Sequence, residues 1–336
     1  MYFRKYRIVG LIYLSDICGV IKERDIALVR DYLNRLAKKK AQLDQYRPLT
    51  SAGLARLREE LAIEWTYNSN SIEGNTLTLV ETKMVVQDGI TVGGKTLREH
   101  FEVVNHQEAI ARLEALVTPD FQFTDSVILD IHYLVLRNIL PDYAGRYRTS
   151  GVRIVGANFT PPNALKVSSL MDELVAEFNL QNKNHHPIVL ATWFHHKFVW
   201  IHPFTDGNGR TIRLVYNLFL MSMGYPPAII LKADRKKYYA ALNAANKEDY
   251  TKLLLLMCQA AERSLDIYLS NIENYAEDYQ PISNVVEDSS VPYGQEYVSL
   301  LARKGKIDAY KEGRNWYTTK EAVFEYMLNR ERKQDV

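Results

Sequence analysis

Apolar residues recur at helical spacing through most of this chain, and that period commits it to a mainly α fold. Over residues 25–46, Ile26, Leu28, Val29, Tyr32, Leu33 and Leu36 fall on one stripe, and Lys38-Lys39-Lys40 reads as a solvated face. Residues 53–68 carry Leu54, Leu57, Leu61, Ile63 and Trp65 as buried positions. The stretches 78–87, 97–116, 125–140, 167–180, 187–200, 235–246 and 250–272 continue the pattern, with Pro141, Pro161-Pro162 and Pro203 as punctuation. One stretch departs from it. Between Arg146 and Pro162, Val152, Ile154 and Val155 precede Gly156-Ala157-Asn158 and Phe159, which predicts a short β-hairpin over 152–159.

Composition narrows the function classes. The 336 residues give room for two or three modules. Net charge is +2, from 42 Lys+Arg against 40 Asp+Glu, so no global field draws the chain to nucleic acid or membrane. Two cysteines, Cys18 and Cys258, exclude a disulfide framework and a four-cysteine zinc site, and suit a reducing, cytoplasmic setting. Arg4-Lys5-Tyr6-Arg7 before Ile8 to Leu14 has the outline of a signal peptide. Its apolar run is too short, Asp16 ends it and no small-x-small site follows, so export is not expected. No apolar run approaches the ~20 residues of a membrane helix. Past residue 276 acids, prolines and serines replace the apolar period. The expected organisation is an N-terminal helical region over 1–96, a core over 97–276, a linker over 277–290 and a small module over 291–336.

The densest chemistry lies in His202-Pro203-Phe204-Thr205-Asp206-Gly207-Asn208-Gly209-Arg210, followed by Thr211-Ile212-Arg213. Pro203 ends the preceding helix. Gly207 and Gly209 permit positive φ, so successive N–H groups can converge on an anion, and a helix restarting at Arg210 aims its dipole at the same place. Arg210 and Arg213 share a helix face and suit phosphate oxygens. Asp206 would repel phosphate unless a cation such as Mg²⁺ bridges them. His202 can accept a proton near neutral pH. A glycine-rich corner with a capping histidine would need none of these polar types together. The set is the inventory for nucleotidyl transfer to a hydroxyl.

With every fixed position of His-Pro-Phe-x-Asp/Glu-Gly-Asn-Gly-Arg-x-x-Arg matched, the segment resembles the Fic family, and the likeness extends over about 97–272. The resemblance implies an all-helical bundle with a β-hairpin flap, and AMP transfer from ATP to a Ser, Thr or Tyr hydroxyl of a protein. It implies His202 as base, Asp206 as Mg²⁺ ligand, and Gly207, Asn208 and Gly209 as the phosphate turn. Arg210 and Arg213 would hold the β- and γ-phosphates, with Thr211 also at the nucleotide and Phe204 as a buried anchor. Tyr238, Tyr239 and Asn246 would line the adenine pocket. The flap over 152–159 would align the target protein by strand addition.

Upstream, Ser69-Asn70-Ser71-Ile72-Glu73-Gly74-Asn75 is similar to the family's inhibitory motif, Ser/Thr-x-x-x-Glu-Gly/Asn. That likeness implies roles for Ser69, Glu73 and Gly74, with Glu73 pairing Arg213 and taking the charge that should orient the γ-phosphate. Read alone, Glu73 is an acid at a helix end. Two further patterns are set aside. Gly89-Ile90-Thr91-Val92-Gly93-Gly94-Lys95-Thr96 fits a Walker A loop by letter, but a helix precedes it and no parallel sheet is expected beneath it. His195 and His196 lack an acidic third partner at a zinc-like spacing and read as packed histidines.

The tail, where a helix bearing Arg303 and Lys304 leads to two strands turning at Glu312-Gly313, is similar to small winged helices of the excisionase type. Over 291–336 nine Lys+Arg face seven Asp+Glu, a weak charge for a DNA reader. DNA contact, protein contact and support of a homodimer all stay open for it. The expected activity is a protein adenylyltransferase restrained by Glu73. A phosphodiesterase that removes AMP from the same site, and a DNA-binding regulator with a nucleotide-sensing body, are the rivals.

Overall fold

The computed structural model describes residues 21–47, 52–118, 121–154, 156–157, 159–181, 185–272, 279–312 and 314–331. The main body is helical: α1 (Glu23–Gln45), α2 (Ala52–Ile72), α3 (Leu79–Asp88), α4 (Leu97–Leu116), α5 (Asp125–Leu136), α6 (Val167–Gln181), α7 (Pro187–Ile201), α8 (Asn208–Ser222), α9 (Arg235–Ala245) and α10 (Thr251–Ser270). Local signals set the boundaries. Thr78 and Thr96 begin α3 and α4 as capping boxes with Glu81 and Glu99, which satisfies N–H groups that the first turn leaves free. Asp25 does the same across the fold: its carboxylate accepts from the Tyr250 N–H and the Thr251 hydroxyl at the start of α10, each at 3.1 Å.

One apolar core runs from Val29 and Leu36 of α1 through Trp65, Ile110, Phe178 and Phe194 to Leu265 of α10. α1 lies along α10, and α8 sits at the centre, packed by α2, α4, α5 and α7. The expected division at 96/97 is therefore not a division of the core. The Fic-like segment is placed by the most enclosed helix of the body, whose buried residues include Ile212, Leu214, Leu218 and Leu220.

Four expectations change. Lys39 is not solvated: it is 1% exposed, with its ammonium 2.6 Å from Asp266, 2.6 Å from Asp308 and 3.4 Å from Glu262. Leu28 of the same helix is exposed. A stripe drawn from apolar residues alone cannot see a buried cation whose partners lie far along the chain, in α10 and the tail. α2 continues to Ile72, so Ser69 is inside a helix and not in a turn, and Gly74 at φ 105° ends it. The stretch expected as linker, 277–290, carries β1 (Gln280–Pro281) and α11 (Ile282–Glu287) in its described part. Ile282 and Val285, three apart, are buried in the tail core, which is enough apolar surface to fold a short segment. Over 152–159 no strand is paired among the described residues. A turn closes there, the Ala157 N–H donating to the Ile154 carbonyl at 3.3 Å. Residues 155 and 158 lie outside the described residues, and Pro161 and Pro162 have no N–H to extend a ladder.

The tail adds α12 (Gln295–Arg303), β2 (Ala309–Glu312), β3 (Asn315–Thr318) and α13 (Lys320–Glu331), with an antiparallel sheet in the order β1-β3-β2. A helix, two antiparallel strands and a second helix follow one another there. The module is tied to α1. Arg35 grips Glu262 with two nitrogens, at 2.8 and 3.1 Å, and donates to the Gly305 carbonyl at 2.7 Å. Tyr297 and Leu300 of α12, and Lys304 just past its end, face Asn34 and Lys38 of α1 across a cleft of about 1150 Å³. This face of α12 is thus turned toward the body. No described helix is long and apolar enough to cross a membrane.

Candidate active site

The site begins where α7 stops. His202, ahead of Pro203, takes the left-handed conformation at φ 51°, ψ 62°, a strained choice for a residue with a Cβ. Arg148 holds it there. The buried guanidinium donates to the carbonyls of His202 (2.8 Å), Ser150 (2.9 Å), Pro162 (2.6 Å) and Ile201 (3.3 Å), and the Arg148 N–H donates to the Pro203 carbonyl at 2.9 Å. His202 itself is pushed down to about 4, first by burial and then by Arg148, so its imidazole is neutral at pH 7, with a ring nitrogen open to a proton.

The turn after Pro203 is closed by its own side chains. Phe204 is fully buried, its ring stacked on His132 at 3.5 Å. The Gly145 N–H donates to His132 Nδ1 at 3.0 Å, so Nε2 carries the ring proton and donates to the Asp206 carbonyl at 3.1 Å. Asn208 Oδ1 accepts from the Phe204 N–H (2.9 Å), and its Nδ2 donates to the Phe204 carbonyl (2.8 Å). Gly207, at φ 76°, fits under Val135 and Leu136, where a Cβ would stand 3.3 Å from each. α8 therefore opens with its free N–H groups toward a small cavity of about 110 Å³, bounded by Glu73, His202, Thr205, Asp206, Gly207, Asn208, Gly209 and Arg210.

Every charge around that cavity is already paired. Glu73 Oε1 lies 2.8 Å from an Arg213 terminal nitrogen. It also lies so close over Gly209 that a Cβ built there would collide with it. Arg213 is buried, and its other nitrogens donate to the Ser69 hydroxyl (3.0 Å) and carbonyl (2.7 Å). Arg210 stands 3.2 Å from Glu102 and 3.5 Å from Asp206. Burial opposes ionisation of Asp206, but Arg210, the Gly207 N–H at 2.6 Å and Arg98 at 2.5 Å outweigh it and hold the carboxyl below its ordinary value.

This geometry agrees with what comparison with known proteins finds. The model of the Fic/DOC family matches residues 122–220. Protein adenylyltransferase Fic of Culex quinquefasciatus is 38% identical over 237 residues, 70% of this chain and 47% of the relative. The protein of that name from Nematostella vectensis is 37% identical over 254 residues, 74% of this chain and 58% of the relative. The solved structure of Fic-1 from C. elegans, residues 134–508, superposes with a TM-score of 0.66 at 33% identity, over 73% of this chain and 72% of that one. The chain belongs to the Fic/DOC family. It spans about half the length of the curated relatives it matches.

Within this Fic chain, the sequence-predicted residues divide into two groups. His202, Asp206, Gly207, Gly209, Arg210, Arg213, Glu73 and Ser69 converge on the cavity and its rim, and Gly74 supplies the positive φ that follows Glu73. Asn208 spends its side chain on the turn. Thr211 is fully buried on the inner side of α8, with its N–H on the Gly207 carbonyl at 2.9 Å. Tyr238 and Tyr239 are consecutive on α9 and cannot face the same way. Tyr238 is 1% exposed and hydrogen-bonds His195 Nε2 at 2.6 Å, whereas Tyr239 stays partly exposed against Arg235. Asn246 Oδ1 accepts from His196 Nε2 at 2.9 Å, while the Tyr250 hydroxyl donates to His196 Nδ1 at 2.7 Å. His195 and His196 are thus packed and bonded. The Walker A look-alike is a loop between the Gly89 end of α3 and the Thr96 cap of α4.

Three residues of the site went unassigned on sequence: Arg98, Glu102 and Arg148. Arg98 and Glu102, four apart on α4, resemble an ordinary surface ion pair, and only the fold brings them beside Asp206 and Arg210.

Proposed function

We propose that this chain is a protein adenylyltransferase, transferring AMP from ATP to a hydroxyl of a target protein, and that Glu73 restrains it. The observation that carries the reading is the position of the Glu73 carboxylate: against Gly209, on Arg213, at the mouth of the α8 N-terminus. A carboxylate there stands where a phosphate would, held by the groups that recognise one.

The residues present fit the cofactor set. Asp206 is a partly exposed carboxylate beside an anion nest, and a single carboxylate plus phosphate oxygens and water is how Mg²⁺ is usually held. Bound there, Mg²⁺ would offset charge on the phosphates. Gly207 and Gly209 let the backbone approach them, and Arg210 and Arg213, freed from Glu102 and Glu73, would grip them. The target hydroxyl oxygen attacks the α-phosphorus, its proton passes to the neutral His202 imidazole, and pyrophosphate leaves with the electrons of the bond between the α-phosphorus and the bridging oxygen. Tyr239 and Asn246 are the adenine-pocket candidates that stay partly exposed, whereas Tyr238 is buried. Val152 to Ile154, anchored by Phe159 stacking on Trp200 and by Asn243 donating to the Gly156 carbonyl, is the segment we assign to aligning the target chain. The turn of α12 toward α1 favours contact with the body over DNA for the tail. We place the activity in the cytoplasm, in keeping with a sequence that carries only two cysteines.

Incubation with ATP, Mg²⁺ and a lysate, followed by mass spectrometry of the modified protein, tests the reading. An added AMP group that disappears in His202→Ala is expected; an added phosphate alone, or modification that survives His202→Ala at the wild-type rate, refutes it.

A further inference from the structure

Glu73 is not the sole charge that must move before the site can load. Arg98, in the first turn of α4, reaches Asp206 Oδ2 at 2.5 Å and Glu102 Oε1 at 3.2 Å. The same Glu102 oxygen lies 3.2 Å from Arg210, and Arg210 lies 3.5 Å from Asp206 Oδ1. Two guanidiniums and two carboxylates close a ring. Asp206 Oδ1 is further engaged by the Gly207 N–H at 2.6 Å. Oδ2, the oxygen left to face a cation, is the one that Arg98 covers.

The Arg98 side chain is 50% exposed and Asp206 34%, so solvent screens the pair and the long side chain can swing away. A divalent cation coordinates carboxylate oxygen at ~2.1 Å and cannot share that lone pair with a guanidinium, whose charge also repels it. The ring also reaches the inhibitory segment. Glu102 Oε2 accepts from Asn75 Nδ2 at 2.9 Å, two residues from Glu73.

We propose that Arg98 is a built-in counter-cation: it occupies the Asp206 carboxylate at rest and is displaced when the divalent cation enters, so the two compete for one oxygen. Arg98 acts through Asp206, as a positioning residue. The inference rests on reading Asp206 as the cation ligand. Its consequence is that cation affinity is set below what the carboxylate alone would give, and that Arg98 restrains the site independently of Glu73.

Water-proton relaxation enhancement of Mn²⁺·ADP, titrated with the full chain, reads protein-bound cation without any turnover. Arg98→Ala should bind about two- to fivefold more tightly than wild type, the range that a half-exposed ion pair can hold back. Arg98→Lys, which keeps the charge, should remain close to wild type. The gap between wild type and Arg98→Ala should narrow as KCl rises, because salt weakens the pair in wild type alone. Asp206→Asn should lose the enhancement. If Asp206→Asn loses it while Arg98→Ala binds no more tightly than wild type, the role given to Arg98 is wrong and the cation site stands. If Asp206→Asn binds as wild type does, the cation site itself is wrong, and the role of Arg98 falls with it.

Discussion

Replacing Arg148 by alanine should unlatch the loop that presents His202. The guanidinium donates to four carbonyls, those of His202, Ser150, Pro162 and Ile201, with Arg148 only 3% exposed. Alanine leaves all four without that donor. Ser150 is exposed and its carbonyl can recruit water, but Ile201 is buried and its carbonyl, at the end of α7, has no following turn to pair it. At about 1 kcal/mol or more for each acceptor left shielded, together with lost packing of the side chain, the cost is about 2–4 kcal/mol. The left-handed His202 adds a second effect. That conformation costs ~1–2 kcal/mol, and without the clamp the residue relaxes toward ordinary φ and carries its imidazole away from the cavity. A displacement of ~1 Å at the base corresponds to a loss of about 10²-fold in rate. Urea unfolding and single-turnover AMP transfer measure the two effects separately. Arg148→Lys, with one ammonium for four acceptors, should fall between wild type and alanine on both. Arg148→Ala that loses less than ~1 kcal/mol and keeps its rate would refute the clamp.

Further outcomes follow from the buried titratable groups. Because His202 is pushed down to about 4, the acid limb of the transfer rate should have its midpoint near pH 4 and the rate should be flat from pH 6 to 8; a midpoint near 6.5 would show an exposed, unperturbed base. His132 and His196, also held down to about 4 chiefly by burial, act with it on stability, which is intact above pH 6.5 and lost as pH falls through about 4. Lys39→Met should cost about 3–5 kcal/mol in urea unfolding at pH 8, since it strands Asp266, Glu262 and Asp308 without their shared ammonium. Burial already lifts Asp266 to about 7, and a carboxyl raised on folding favours the fold below its unfolded value and ceases to do so as pH rises through the folded one. The deficit of Lys39→Met should therefore shrink between pH 8 and pH 5; a deficit independent of pH would contradict the buried cluster.

Helical order was legible in this sequence because apolar period and prolines are local signals. The capping pairs Thr78–Glu81 and Thr96–Glu99, found in the structure, are equally local. The convergence of His202, Asp206, Arg210 and Arg213 was legible for a similar reason, since one turn and one helix carry all four. What was hidden is tertiary. Lys39 sits in a run of three lysines, and nothing local separates it from its solvated neighbours. Its partners arrive from α10 and the tail. Arg98 looks like the start of an i,i+4 surface pair, and its second partner, Asp206, is 108 positions away. The extent of α2 past Asn68 was missed because Ser69-Asn70-Ser71 has turn composition. Arg213 binds the Ser69 hydroxyl and carbonyl, and a helix can hold them there.

The central claim is that Glu73 restrains transfer by occupying Arg213. Auto-AMPylation with labelled ATP and Mg²⁺, run in parallel on wild type, Glu73→Gly, Arg213→Ala and the double variant, tests it most directly. Glu73→Gly should label well above wild type, Arg213→Ala below it, and the double variant should stay as low as Arg213→Ala, because Glu73 acts only through the charge that Arg213 supplies. Equal labelling of wild type and Glu73→Gly would contradict the account and leave Glu73 an ordinary acid at the end of a helix.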